Sequence, residues 1–174
     1  MSTEATTLSI RERGAARIAA AAPRTREAWQ KAMEGKPDFA FTWGDCWKQC
    51  TEYTVDDIAA EIGLYTDVLG LSPMILDSDR GMFTSPDNAF YLTVVAANAE
   101  RPATVPGSIA IEFMIDDLPA TTAELERRGL AFEEQPRPCA PGSPLHTAVF
   151  RTPHGVRVTL WAMAPVAEES VNGG

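Results

Sequence analysis

Glutamates at positions 52 and 112 stand in two stretches that match each other sixty residues apart, Thr51-Glu-Tyr-Thr-Val-Asp-Asp-Ile and Ile111-Glu-Phe-Met-Ile-Asp-Asp-Leu. Two carboxylates brought to one place could act as general acid and base, bind a cationic or hydrogen-bonding ligand, or belong to a displaced metal site. They could equally be solvated or paired with Arg157, because carboxylates rarely stay buried without partners. All four readings stay open on the residues alone. Other chemistry is sparse. Cys46, Cys50 and Cys139 are an odd set without disulfide-framework spacing, and Cys46-x-x-x-Cys50 is wider than a zinc knuckle with no His nearby in sequence. They read as three reduced, packing cysteines. His154, in Thr-Pro-His-Gly, reads as a structural residue of a surface turn. His146 starts a strand beside a Pro-rich loop, and a lone histidine is more often bystander than catalyst. Pro141-Gly-Ser-Pro lacks the strand-to-helix setting of a phosphate loop.

The elements that must position these residues follow from periodicity. Residues 1–7 are polar. From Leu8 the apolar positions Leu8, Ala15, Ile18, Ala19 and Ala22 recur at helical spacing, and Thr25 can cap a second helix running to Gly35. The Ala and Trp29 face of this pair is expected to dock on the domain or on a partner chain. An aromatic-rich stretch, residues 39–47, leads to a strand in which Thr51, Tyr53 and Val55 alternate with Cys50, Glu52 and Thr54. Residues 58–69 have helical spacing and stop at Gly70. Residues 72–76, 81–85 and 89–96 read as strands, and 100–107 as a linker. The order then repeats, with a strand at 108–115, a helix at 119–128 closed by Gly129, and a strand at 131–135. A Pro-rich loop is expected at 136–144, then a hairpin of strands 146–152 and 156–162 turning at Pro153-His154-Gly155. A matching stretch followed by the same element order marks an internal repeat. Each half leaves an open sheet with one helix-covered face, so the two are expected to pair.

The chain has 174 residues, 45% hydrophobic and 22% charged, the mix of an ordinary globular domain. A net charge of -9 argues against a nucleic-acid partner, since such proteins present a basic face. No apolar run approaches the roughly 20 residues that span a bilayer. The Ala-rich stretch 15–22 lacks the Leu-rich core of a signal peptide and contains Arg17, so a cytoplasmic protein without a membrane partner is expected.

The pieces Val55-Asp-Asp, Leu64-Tyr-Thr-Asp-Val-Leu-Gly-Leu, Phe113-Met-Ile-Asp-Asp and Phe150-Arg-Thr-Pro-His-Gly-Val-Arg-Val-Thr-Leu-Trp resemble the glyoxalase/bleomycin-resistance/dioxygenase (vicinal oxygen chelate) superfamily. The resemblance runs from residue 47 to about 163. It implies an α+β fold of two βαβββ modules forming a curved mixed-sheet cup. The implied organisation is a helical extension at 1–45, the domain at 46–165 and a tail at 166–174. Metal-dependent members hold a divalent ion with His, Glu or Gln on inward strand positions, two from each module. Counted from the Asp-Asp pairs, those positions fall on Cys50, Thr93, Ala110 and Thr159. Alanine cannot ligate and threonine is a poor substitute for a carboxylate, so neither metal nor other cofactor is expected.

The resemblance turns Glu52 and Glu112 inward, two residues beyond the usual ligand positions, and places Tyr91, Met114, Arg157 and Trp161 in the same concavity. The leading expectation is a metal-independent protein that holds a small organic molecule, as bleomycin-resistance-type members sequester a drug. Trp161 and Tyr91 would stack on a planar ligand while Glu52 or Glu112 meets a cation. Cys50, Thr93 and Thr159 would complete the lining, and a homodimer is expected. The alternatives are a metal-free lyase, isomerase or cyclase using Glu52 and Glu112 as acid and base, and a structural protein whose N-terminal helices bind a partner.

Overall fold

The second aspartate of each Asp-Asp pair starts a helix. Asp57 accepts a hydrogen bond from the Ala60 amide at 3.0 Å, and Asp117 accepts one from the Ala120 amide at 2.8 Å. Each satisfies an amide that the first helical turn leaves without a partner. The computed structural model describes residues 9–22, 25–38, 40 and 49–164, and divides into one unit at 1–43 and another at 44–174.

In the first unit, α1 (Ile10–Ala20) opens with a reciprocal capping box between Ser9 and Glu12, and α2 (Arg26–Ala32) is capped by Thr25. The Arg17 guanidinium donates to the Ala32 carbonyl and ties the two helices together. Ile18 and Trp29 are exposed. The expected aromatic stretch at 39–47 lies outside the described residues except for Ala40, as do Cys46 and the tail at 166–174.

In the second unit, β1 (Cys50–Val55), α3 (Ile58–Gly63), β2 (Ser72–Leu76), β3 (Arg80–Thr84) and β4 (Tyr91–Ala96) form one module. β5 (Ala110–Met114), α4 (Leu118–Arg127), β6 (Phe132–Pro138), β7 (Leu145–Arg151) and β8 (Arg157–Met163) form the other. The sheets have matching orders, β1-β4-β3-β2 and β5-β8-β7-β6. In each the first strand runs parallel to the last, which requires the helical crossover between them. The α+β, two-module architecture agrees with the expectation.

Two local readings are corrected. The helix over 58–69 is not uniform: from Leu64 to Val68 it widens into a π turn, with the Leu69 amide donating to the Leu64 carbonyl at 2.9 Å. Apolar spacing cannot distinguish the two because both keep Ile58, Ile62 and Tyr65 inward. The loop expected at 136–144 is shorter, because β6 continues to Pro138. Prolines are tolerated there because β6 is an edge strand and the register shifts beside Arg137.

The helix-covered sides of both sheets contribute to one core, including Tyr53, Phe83 and Leu92 from the first module and Ile111, Phe150 and Leu160 from the second. Burying each such side chain contributes about 1.5–3 kcal/mol. Glu61, on α3, is fully buried within this core. Its carboxylate accepts from the Tyr53 hydroxyl at 2.9 Å and from the His154 amide at 2.6 Å, and Tyr53 and Tyr65 share a hydrogen bond of 2.6 Å between their hydroxyls. The His154 ring reaches the Thr104 carbonyl at 2.7 Å through Nε2, and its side chain is only 6% exposed. His154 is thus structural as expected, but the turn carrying it packs on the first module instead of lying free at the surface.

Candidate functional site

Because side chains alternate along a strand, burying Tyr53 and Val55 on the helix side sends Cys50, Glu52 and Thr54 to the open side. The same parity in β5 buries Ile111 and exposes Ala110, Glu112 and Met114. Registers extend each face across its sheet. On the first, Cys50 lies beside Tyr91, and Glu52 beside Thr93 and then Met82. On the second, Ala110 lies beside Arg157, Glu112 beside Thr159 and Val149, and Met114 beside Trp161 and Thr147. Glu52 and Glu112 therefore occupy equivalent places, each next to a buried threonine.

Their electrostatic surroundings differ. Glu52 is clamped between Arg80 and Arg101, each with a guanidinium nitrogen 3.1 Å from a carboxylate oxygen. Glu112 has no hydrogen bond or ion pair among the described residues. The pairing of a glutamate with Arg157, one of the readings open in the sequence, occurs with neither: Arg157 approaches Glu134 at 3.8 Å. Glu134 also holds Arg137, whose hydrogen bond keeps the Glu134 carboxyl below its ordinary range. The β6 bulge brings Glu134 and Arg137 onto this face, and the sequence pattern did not reveal them as partners.

Two hollows meet at Glu112 and Met114. One, about 530 Å³, runs along the free edge of β5 and is lined by Tyr91, Phe90, Gln49, Glu112 and Met114, among others. The other, about 430 Å³, lies between Glu112, Met114, Leu145 and Trp161. Together they form a groove from Tyr91 to Trp161. Met114 is 70% exposed, an unusual degree for a methionine on a folded sheet. Two polar atoms on β8 lack partners among the described residues, the Thr159 hydroxyl and the Trp161 Nε1–H, and both atoms are buried. Leaving such a group unpaired costs about 1–3 kcal/mol.

The structure thus brings Tyr91, Glu112, Met114 and Trp161 to one groove, while Thr159 lies buried beside Glu112 and lines neither hollow. Arg157 sits one place further along β8. Cys50, Glu52 and Thr93 lie on the open face of the other sheet and line neither hollow. Cys50 Sγ is 3.2 Å from Thr93 Oγ1. Leu145 and Gln49 were missed; their place on the groove depends on how strands pair, which no local pattern encodes.

The four positions where the resemblance implies metal ligands do not fit a metal. Cys50 and Thr93 bond to each other, Ala110 has no donor, and Thr159 carries one neutral hydroxyl. Among the described residues, no three His, Cys, Asp or Glu side chains converge. No described helix is long and apolar enough to cross a membrane.

Compared with known proteins, the chain matches no family model and no curated protein. Solved structures do match it. A glyoxalase/bleomycin resistance protein/dioxygenase from Nocardioides shares 16% identity over 84% of this chain and 98% of its own, with a TM-score of 0.54. Lactoylglutathione lyase from Agrobacterium tumefaciens shares 21% over 65% and 90%, with a TM-score of 0.51. The chain therefore has the fold of the glyoxalase/bleomycin resistance/dioxygenase proteins. It is also similar to TnmS3, an antibiotic binding protein from Streptomyces sp. CB03234, at 21% identity over 67% of this chain and 94% of that one, with a TM-score of 0.54.

Proposed function

We propose that this protein binds a small organic molecule, without a metal ion, in the groove from Tyr91 past Glu112 and Met114 to Trp161. The observation that carries this reading is Glu112, which lines both hollows and has no hydrogen bond or ion pair among the described residues. A ligand that pairs with Glu112 gains what the free protein forgoes. The similarity to an antibiotic binding protein supports sequestration of a drug or metabolite as the biological role. The acid/base alternative needs both glutamates, and its support is weaker because Glu52 is engaged by Arg80 and Arg101. Association as a homodimer is part of the proposal, motivated by the exposed Met74, Leu76 and Met163.

The test has two parts. Protein purified without added metal is expected to contain no stoichiometric Zn, Fe, Mn or Ni, and a thermal-shift screen of organic compounds should return stabilising ligands that leave unchanged. One tightly bound ion per chain, or turnover of a bound compound, would overturn the reading.

A further inference from the structure

Resting on the homodimer reading, we infer that the helical pair α1–α2 of each copy docks on the edge strand β2 of a second copy, so that the dimer is held by two exchanged arms. The arm needs a partner. Helices of 11 and 7 residues are marginal in water on their own, and among their described side chains only Ala32 is buried. The uncovered side is apolar. Ile18, Trp29 and Met33 are 76%, 54% and 47% exposed, and Ile18, Ala21, Ala22 and Trp29 surround a hollow of about 610 Å³. Tryptophan is among the side chains that most often anchor an interface.

The landing place follows from a difference between β2 and β6, which occupy equivalent edges of the two sheets. β6 carries Glu133, Glu134 and Arg137 with Pro136 and Pro138, and such charges and prolines keep an edge from associating. β2 has no charged residue, and all five of its residues are exposed, with Met74, Ile75 and Leu76 in a row at 51%, 43% and 53%. Pro73 and the register shift between Pro73 and Ile75 disfavour a second strand continuing the sheet, so this edge is fitted to side-chain packing against a helix. Charge agrees with the pairing. Residues 1–43 carry seven basic and five acidic side chains, whereas residues 44–174 carry eight and nineteen. Arg26 stands three residues before Trp29, on the same face of α2, and the exposed Asp77 and Asp79 follow Leu76. Area sets the number of arms. One arm on one edge would bury on the order of 600 Å² of these six apolar side chains, short of the roughly 1,200–2,000 Å² of a stable interface. Two arms exchanged about a two-fold axis double the contact and bring it into that range.

The test is the oligomeric state of the full chain, read by analytical ultracentrifugation over a range of concentrations. Wild-type protein is expected to be a dimer. Trp29→Glu and Ile75→Lys, both at exposed positions, should each raise the dissociation constant about tenfold or more. A cooperative melting transition would establish that each variant folds. Mixing the two variants should recover a dimer that neither forms alone, because the mixed pair keeps one intact arm on one intact edge. A dimer indifferent to Trp29→Glu would overturn the arm while leaving the homodimer reading intact. A dimer broken by Trp29→Glu but not by Ile75→Lys would overturn the landing place, and failure to recover on mixing would overturn the exchange. A wild-type monomer at every concentration would overturn this inference and the homodimer reading together. In that case a lowered melting temperature for Trp29→Glu would show that the arm closes on its own chain.

Discussion

The two modules share a chain path and differ in where they keep their polar groups. In the first, Tyr53, Glu61 and Tyr65 make a hydrogen-bonded chain inside the core. Sixty residues on, the same sequence places hold Phe113, Thr121 and Leu125, none of them ionisable, with Leu125 buried and Phe113 and Thr121 half-buried. On the open faces the order reverses. The first module pairs Glu52 with two arginines, whereas in the second Glu112, the Thr159 hydroxyl and the Trp161 indole N–H have no partners among the described residues. A buried polar chain that is fully satisfied holds one arrangement firmly, and polar groups left unsatisfied are poised for something else. The repeat in sequence therefore does not give two electrostatically equivalent faces.

The largest expected effect comes from breaking the buried chain. Glu61→Leu leaves the His154 amide without its acceptor and takes one of the two partners of the Tyr53 hydroxyl, which keeps Tyr65; it should cost about 1–3 kcal/mol. Thr121→Leu at the equivalent place in the second module should stay within about 1 kcal/mol. Urea midpoints on both variants would decide this, and equal losses would erase the contrast between the modules. A second effect concerns alkaline pH. Burial is the main cause that pushes the Tyr53 and Tyr65 hydroxyls above the ordinary tyrosine range, with the charges of the neighbouring tyrosine and Glu61 adding to it for Tyr53. A group whose proton is held more tightly in the folded state stabilises it below the unfolded pKa of about 10 and loses that contribution as pH rises further. Stability should therefore fall above about pH 10. In an absorbance titration these two tyrosines should ionise only together with unfolding, and their ionisation in folded protein would remove the premise of a closed core chain. The smallest effect lies on the first sheet. Replacing Arg80 and Arg101 with alanine frees Glu52, but all three side chains are substantially exposed, so stability should change by about 1 kcal/mol or less. A larger loss would mean that the clamp, too, holds the fold together.

Much of this was legible before any fold was known. The parity of β1 and β5 can be read from residue alternation, and it sends Glu52 and Glu112 to open faces without reference to any other strand. The two helix starts follow from the Asp-Asp pairs, because capping is settled within three residues. The helix ends at Gly70 and Gly129, where backbone φ is +74° and +92°, were marked by residue type alone. The widening of the helix at Leu64 was not legible, since the apolar spacing is the same with or without it.

The sequence alone thus determined the repeat, the element order and the side of the sheet on which Glu52 and Glu112 stand. These are consequences of periods of two and of three to four residues, acting within a few positions. Tertiary structure alone decided which of the two glutamates is available. Arg80 lies 28 residues from Glu52 and reaches it only because β3 and β4 pair in one register. Arg157, which the sequence offered to either glutamate, is drawn to Glu134 by the β6 bulge. Ion pairing is set by distance in space, and that distance depends on strand pairings between distant segments, which no local pattern contains.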